Sequence, residues 1–156
     1  MDVCIQKAVA DYGETVARAA FTYLKNVHDA EDIAQEVFLV LLQKEPRIEN
    51  EAHLKAWLLR VAANKCKNYL KSGWNRSREP LPDNLEYLEE KESQVLSAVL
   101  SLEIKYRVPI YLYYYEGYSM KEIAGILYSR SATIGTRLAR GREQLGRILR
   151  EEWEHE

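Results

Sequence analysis

Between Asp29 and Leu42 the apolar residues repeat with a helical period. Ala30, Ile33, Ala34, Val37, Phe38 and Leu41 fall at i, i+3, i+4, i+7, i+8 and i+11. At 3.6 residues per turn these side chains line up as one stripe, so DAEDIAQEVFLVLL is predicted to be a helix with one buried side. Asp29 stands where an N-cap belongs, and Glu31 and Asp32 place negative charge on the first turn, where the helix dipole favours it. Asp32, Gln35 and Glu36 form a second, polar stripe on the opposite face, which Leu39 extends without a charge. Such a face is either ordinary solvated surface, the commoner case, or a docking surface, and spacing alone leaves both open.

The rest of the chain continues in helices. Residues 5–27 carry Val9, Tyr12, Val16, Ala19, Ala20, Tyr23, Leu24 and Val27 at roughly helical spacing, interrupted only by Gly13, and are read as packing for the Asp29 helix. Gln43–Ala52 contains Pro46 and turn formers and is read as a loop. From Glu51 to Lys71, Leu54, Trp57, Leu58, Val61 and Ala62 make a buried side, while Arg60, Asn64, Lys67 and Lys71 share another face. Ser72–Asn84 holds Gly73, Pro80 and Pro82, loses periodicity and reads as a linker running into the acidic stretch Glu86–Glu92. Beyond it, Val95, Leu96, Val99, Leu100 and Leu102 open a second helical unit. Its most apolar segment is YRVPIYLYYYE, in which Pro109 is tolerable if it lies in the first turn, with Gly117 as the stop. Ser119 and Glu122 form an S-x-x-E capping box ahead of Met120–Leu127, whose Ile123, Ala124 and Leu127 point inward. After a tight turn a last helix runs from Ser131 to about Arg150. Two helices joined by a few residues, the second bearing Arg137, Arg140 and Arg142, have a helix-turn-helix layout. The expected fold is all-α: two small helical domains joined by a flexible linker, the second containing the helix-turn-helix.

A net charge of −2 over 156 residues hides strong segregation. Residues 29–52 hold seven acids against two bases, whereas 53–78 hold seven bases and no acid. Residues 79–103 return to seven acids against one base, 129–150 hold six arginines against one glutamate, and 151–156 is acidic. Two basic blocks separated by an acidic one suggest two contacts with a polyanion. Tyr69 and Trp74 beside the first block suit a single strand, on whose bases rings stack while cations track phosphates. A solvated basic face is the bland alternative. Cys4 and Cys66 share no disulfide or metal spacing, which fits a reducing cytoplasm, and His28, His53 and His155 are scattered. No cofactor is expected. No apolar run approaches the eighteen or so residues of a membrane span, and Met1–Ala10 lacks the layout of a signal peptide.

DAEDIAQEVF resembles the core signature of bacterial sigma factors of the extracytoplasmic-function (ECF) group, in the sigma-70 family. The resemblance implies that Asp32, Gln35 and Glu36 contact the clamp helices of core RNA polymerase. LKAWLLRVAANKCKNYLK resembles the family segment that melts the promoter and recognises its single-stranded −10 element, with Asn64 at a DNA-contacting position and Arg60, Lys67 and Lys71 beside it. The loop before it, about Arg47–His53, helps form a pocket for a flipped base in relatives. Where many relatives have Asp and Arg, this chain has Asn68 and Lys71, and a lysine loses the bidentate geometry of arginine. YRVPIYLYYYEGYSMKEIAGIL and TIGTRLARGREQL resemble the domain that reads the duplex −35 element, with Thr133, Thr136, Arg137 and Arg140 as candidate contacts. Three departures stand out there: Tyr128 for a turn glycine, Gly135 for a basic residue and Gly141 for an alanine.

The resemblance implies four segments: 1–72, binding polymerase and the −10 element; 73–90, a linker; 91–150, binding the −35 element; and 151–156, an acidic tail. It implies a cytoplasmic promoter-specificity subunit without catalysis or membrane insertion of its own. Relatives are commonly sequestered by an anti-sigma protein, which no residue here identifies. A stand-alone helix-turn-helix regulator would explain residues 104–150 but leave DAEDIAQEVF and the first basic helix unused. An enzyme would need a nucleophile–base arrangement, a glycine phosphate loop or a metal set, and the sequence offers none. Gly135, Gly141 and Gly146 each weaken a helix by about 1 kcal/mol relative to alanine, so −35 recognition is expected to be weak without the effective concentration that polymerase tethering supplies.

Overall fold

A computed structural model describes residues 1–72 and 90–154, with side chains over 1–72 and 94–151. The described residues form seven helices and no strand, divided between two compact units. The expected linker, with Trp74 and most of the acidic stretch, lies outside them.

In the first unit, α1 (Ile5–Leu24) packs against α2 (Val27–Lys44) and α3 (Glu51–Lys71), which also pack on each other. Val16, Ala20, Val37, Leu41, Leu58, Ala62 and Cys66 are all buried at their centre. The apolar stripe of α2 is buried as the period requires. Its start differs from expectation. Asn26, in extended conformation, is the N-cap, and its Oδ1 accepts from the Asp29 N–H at 3.0 Å. Val27 and His28 therefore begin the helix, and Asp29 contributes charge to the first turn rather than a cap. Gly13 does not interrupt α1, which is one continuous helix. Val9, expected inside, is 45% exposed.

In the second unit, α4 (Glu90–Ser101), α5 (Ile104–Tyr114) and α6 (Met120–Leu127) all pack on α7 (Ser131–Glu154). Val99, Ile110, Ile123, Ile134 and Leu138 form the core. Because Glu103 caps α5, Pro109 falls in the second turn rather than the first. There it removes one N–H from the helix ladder, and the ring is fully buried. Helix α5 ends at Tyr114, and Gly117 turns the following loop at φ 75°. Helix α7 runs to Glu154, past Arg150, where it was expected to end.

Two arrangements in this unit have no signal in the sequence. Arg107 is buried, and its Nη1 donates to the Leu100 carbonyl at 3.3 Å and the Leu102 carbonyl at 2.9 Å, satisfying acceptors where α4 ends. At Gly141 the helices α5 and α7 approach closely: a Cβ there would lie 2.9 Å from Ile110 Cγ1. That glycine is required by packing and is not merely a weak spot in the helix.

Candidate functional surfaces

The first surface is the outer face of α2. Asp32, Gln35 and Glu36 are all exposed, brought together by the same period that buries Ile33, Ala34 and Val37. Leu39 and Leu42, each 53% exposed, continue the face. They border an apolar cleft of about 410 Å³, floored by Ala34 and Phe38 and closed on the other side by Ile5 and Val9 of α1. The surface is thus half acidic and amide, half aliphatic. Leu39 is legible from spacing alone; Val9 and Leu42 are not, because membership of the cleft depends on how α1 lies against α2.

The second surface is on α3. Asn64, Lys67 and Lys71 are exposed in one row, with Arg60 half-buried at its head, its Nε shielded from solvent. Tyr69 is half-buried beside the row. Cys66, on the inner side of the same turns, is fully buried, and burial pushes its thiol up to about 12, with Glu36 adding to the shift. The loop ahead of α3 is held at several points. Ile48 is buried, Asn50 Oδ1 accepts from the His53 N–H at 2.8 Å, and the Glu49 N–H donates to His53 Nδ1 at 3.0 Å. Tyr12 O–H donates to Glu51 Oε2 at 2.6 Å, tying α1 to the first turn of α3. That bond, then burial, then the nearby carboxylate charge, raise the Tyr12 hydroxyl to about 12.

The third surface is α6–turn–α7. The capping box forms as expected: the Glu122 N–H donates to Ser119 Oγ at 3.1 Å and the Ser119 N–H to Glu122 Oε1 at 3.0 Å, which holds that carboxyl below its usual range. Tyr128 ends α6 in the left-handed region at φ 53°, and α7 begins at Ser131. Ile134 and Leu138 are buried, so Ala132, Thr136 and Arg140, all exposed, mark the outward face, while half-buried Thr133 and Arg137 lie on its flank. Thr136 Oγ1 donates to the Ala132 carbonyl at 3.1 Å, which leaves the hydroxyl as an acceptor toward any ligand. Three of the six arginines are engaged within the unit: Arg142 with the Tyr114 hydroxyl, Arg147 with Glu143, and Arg150 with the Gly146 carbonyl. Arg130, just before α7, is exposed as well, and no spacing in the sequence marks it out from the other arginines. Among the described residues no group of acidic, histidine or cysteine side chains could hold a metal ion, and no helix is long and apolar enough to cross a membrane.

A three-helix unit with an acidic outer face and a basic helix, followed by a helix-turn-helix unit, is the build of a sigma-70-type initiation factor. Residues 8–76 match Sigma-70 region 2, and residues 86–145 match Sigma-70 region 4. The ECF RNA polymerase sigma factor SigW of Bacillus subtilis is 30% identical over 170 aligned positions, covering 94% of this chain and 91% of that one. The ECF RNA polymerase sigma-E factor of Escherichia coli K12 is 27% identical, covering 88% and 82%. The chain belongs to the ECF sigma factors: it binds core RNA polymerase and promoter DNA and directs transcription initiation. The fold is shared with the sigma factor RpoE of Bartonella quintana, solved with the anti-sigma factor NepR, at TM-score 0.76 and 20% identity over 93% of this chain and 96% of that one. It is also shared with CnrH, solved with the cytosolic domain of CnrY, at TM-score 0.71 and 24% identity over 94% and 88%.

Proposed function

We propose that Asp32, Gln35 and Glu36 form the polymerase-docking face of this sigma factor, with the aliphatic cleft beside them completing the contact. Arg60, Asn64, Lys67 and Lys71 engage the single-stranded −10 element, Lys67 and Lys71 through phosphates and Asn64 through a base edge. Thr133, Thr136, Arg137 and Arg140 face the −35 duplex, Arg140 most directly. Residues 1–72 act as one functional domain and 91–150 as the other, with 73–90 joining them. The protein works in the cytoplasm, on polymerase, and carries out no chemistry itself. The complex of the Bartonella quintana RpoE with the anti-sigma factor NepR supports an anti-sigma protein as a further partner.

The observation that carries this reading is the composition of the α2 outer face: acids and an amide at helical spacing, all exposed, directly against exposed leucines. Charges in solvent contribute little to folding, so this pattern has no structural task within the unit. The test is Asp32→Lys with Glu36→Lys in one chain. The variant is expected to keep its helical circular dichroism and unfolding midpoint but to stop co-eluting with core RNA polymerase in gel filtration. Unchanged affinity for core polymerase would refute the assignment.

A further inference from the structure

The recognition helix α7 is short of reading groups where it begins. From Ser131 to Thr136 its side chains are Ser, Ala, Thr, Ile, none and Thr. None can make the bidentate contacts by which Arg, Lys, Asn or Gln read a base in the major groove. Ile134 is fully buried, and the Thr136 hydroxyl proton is committed to the Ala132 carbonyl. Ser131, Gly135 and Ala139, one turn apart in sequence, make a low surface along the helix.

The space over that surface is occupied from the neighbouring helix. A Cβ on Gly135 would lie 3.3 Å from Met120 Sδ, so the thioether of Met120 rests where a side chain at 135 would begin. Met120 is the first residue of α6, at a helix start fixed by the Ser119–Glu122 capping box, and it is 47% exposed. A large apolar side chain thus stands in solvent against the recognition helix, at the place where the helix itself offers nothing long. Of the base features in the major groove, the 5-methyl group of thymine is the one read by apolar contact, and a flexible, polarisable thioether suits it.

We propose that Met120 is a specificity-determining residue for the −35 element, contacting a thymine methyl in the duplex from the helix before the recognition helix. The inference rests on the reading that α6–α7 binds the −35 duplex. A promoter recovered by sequencing the transcripts gained on overexpression supplies the DNA, and holoenzyme supplies the protein. Each thymine of its −35 element is replaced in turn by uracil, which lacks only the methyl. At one position the parent holoenzyme is expected to lose about fourfold in affinity, the worth of one buried methyl. Met120→Ala is expected to lose at least as much on the thymine promoter and to be indifferent to uracil at that position, whereas Met120→Leu keeps the discrimination. Met120→Gln, equal in length but polar, is expected to behave as Met120→Ala and guards against a local effect of truncation. If the uracil and Met120 penalties multiply independently at every position, the inference is wrong while the −35 reading stands. If the parent holoenzyme binds equally well with a scrambled −35 element, the −35 reading fails and the inference with it.

Discussion

A methyl group added at position 141 and one added at position 135 have opposite prospects, although both replace a glycine in the same helix. At Gly141 it would meet Ile110 Cγ1 at 2.9 Å and Cδ1 at 3.2 Å, and Ile110 is 1% exposed, with nowhere to move. Overpacking of that kind costs about 1–3 kcal/mol, which exceeds the gain of about 1 kcal/mol from helix propensity. At Gly135 the neighbour is the thioether of a half-exposed methionine, which can swing aside, so the propensity gain survives. Gly141→Ala is therefore expected to lower the urea midpoint and Gly135→Ala to raise it. The reverse order would show that α5 and α7 are not in close contact at Ile110. Nothing in the sequence distinguishes the two glycines. Propensity is a property of the residue and its neighbours along the chain, whereas close approach belongs to another helix thirty residues away.

At the level of elements, the features legible in advance were those whose causes are local. The apolar stripe of α2, the capping box of α6 and the position of the helix-turn-helix all follow from residues within a turn or two of each other. The start of α2 was misplaced because Asn26 and Asp29 are both good caps, and only the extended backbone at Asn26 decides between them. Arg107 was illegible for a stronger reason. It lies in an apolar run, and its partners are the carbonyls of Leu100 and Leu102, at a helix end that the sequence does not mark. Arg107→Leu should leave those buried acceptors short of a donor, at about 1–3 kcal/mol each. The expected result is a drop of about 2–6 kcal/mol in unfolding free energy by urea titration. A loss below about 0.5 kcal/mol, the usual range for a surface change, would mean that the carbonyls find other donors.

For the whole molecule, segregated charge already implied two contacts with a polyanion, and helical period with the linker implied two units. The candidate polymerase face was only half legible. Its acids and amide announce themselves by spacing, but the cleft beside them is built by two helices, and Val9 reads as core until α1 is placed. One feature common to both units bears on heat tolerance. Glu45 closes α2 at φ 44° and Tyr128 closes α6 at φ 53°, both in the left-handed region, and both side chains are exposed. A non-glycine residue in that conformation costs about 1–2 kcal/mol. Glycine relieves the strain but gives back part of the gain through its freer unfolded chain. Glu45→Gly and Tyr128→Gly should each add about 1 kcal/mol, and a gain of that size raises the melting temperature of a domain of this length by about 4–8 °C. Differential scanning calorimetry of the two variants should show that rise, and no rise in either would mean that its side chain is held by contacts worth as much as the strain. The natural chain therefore melts below the ceiling its own fold permits, and one residue in each unit would lift it.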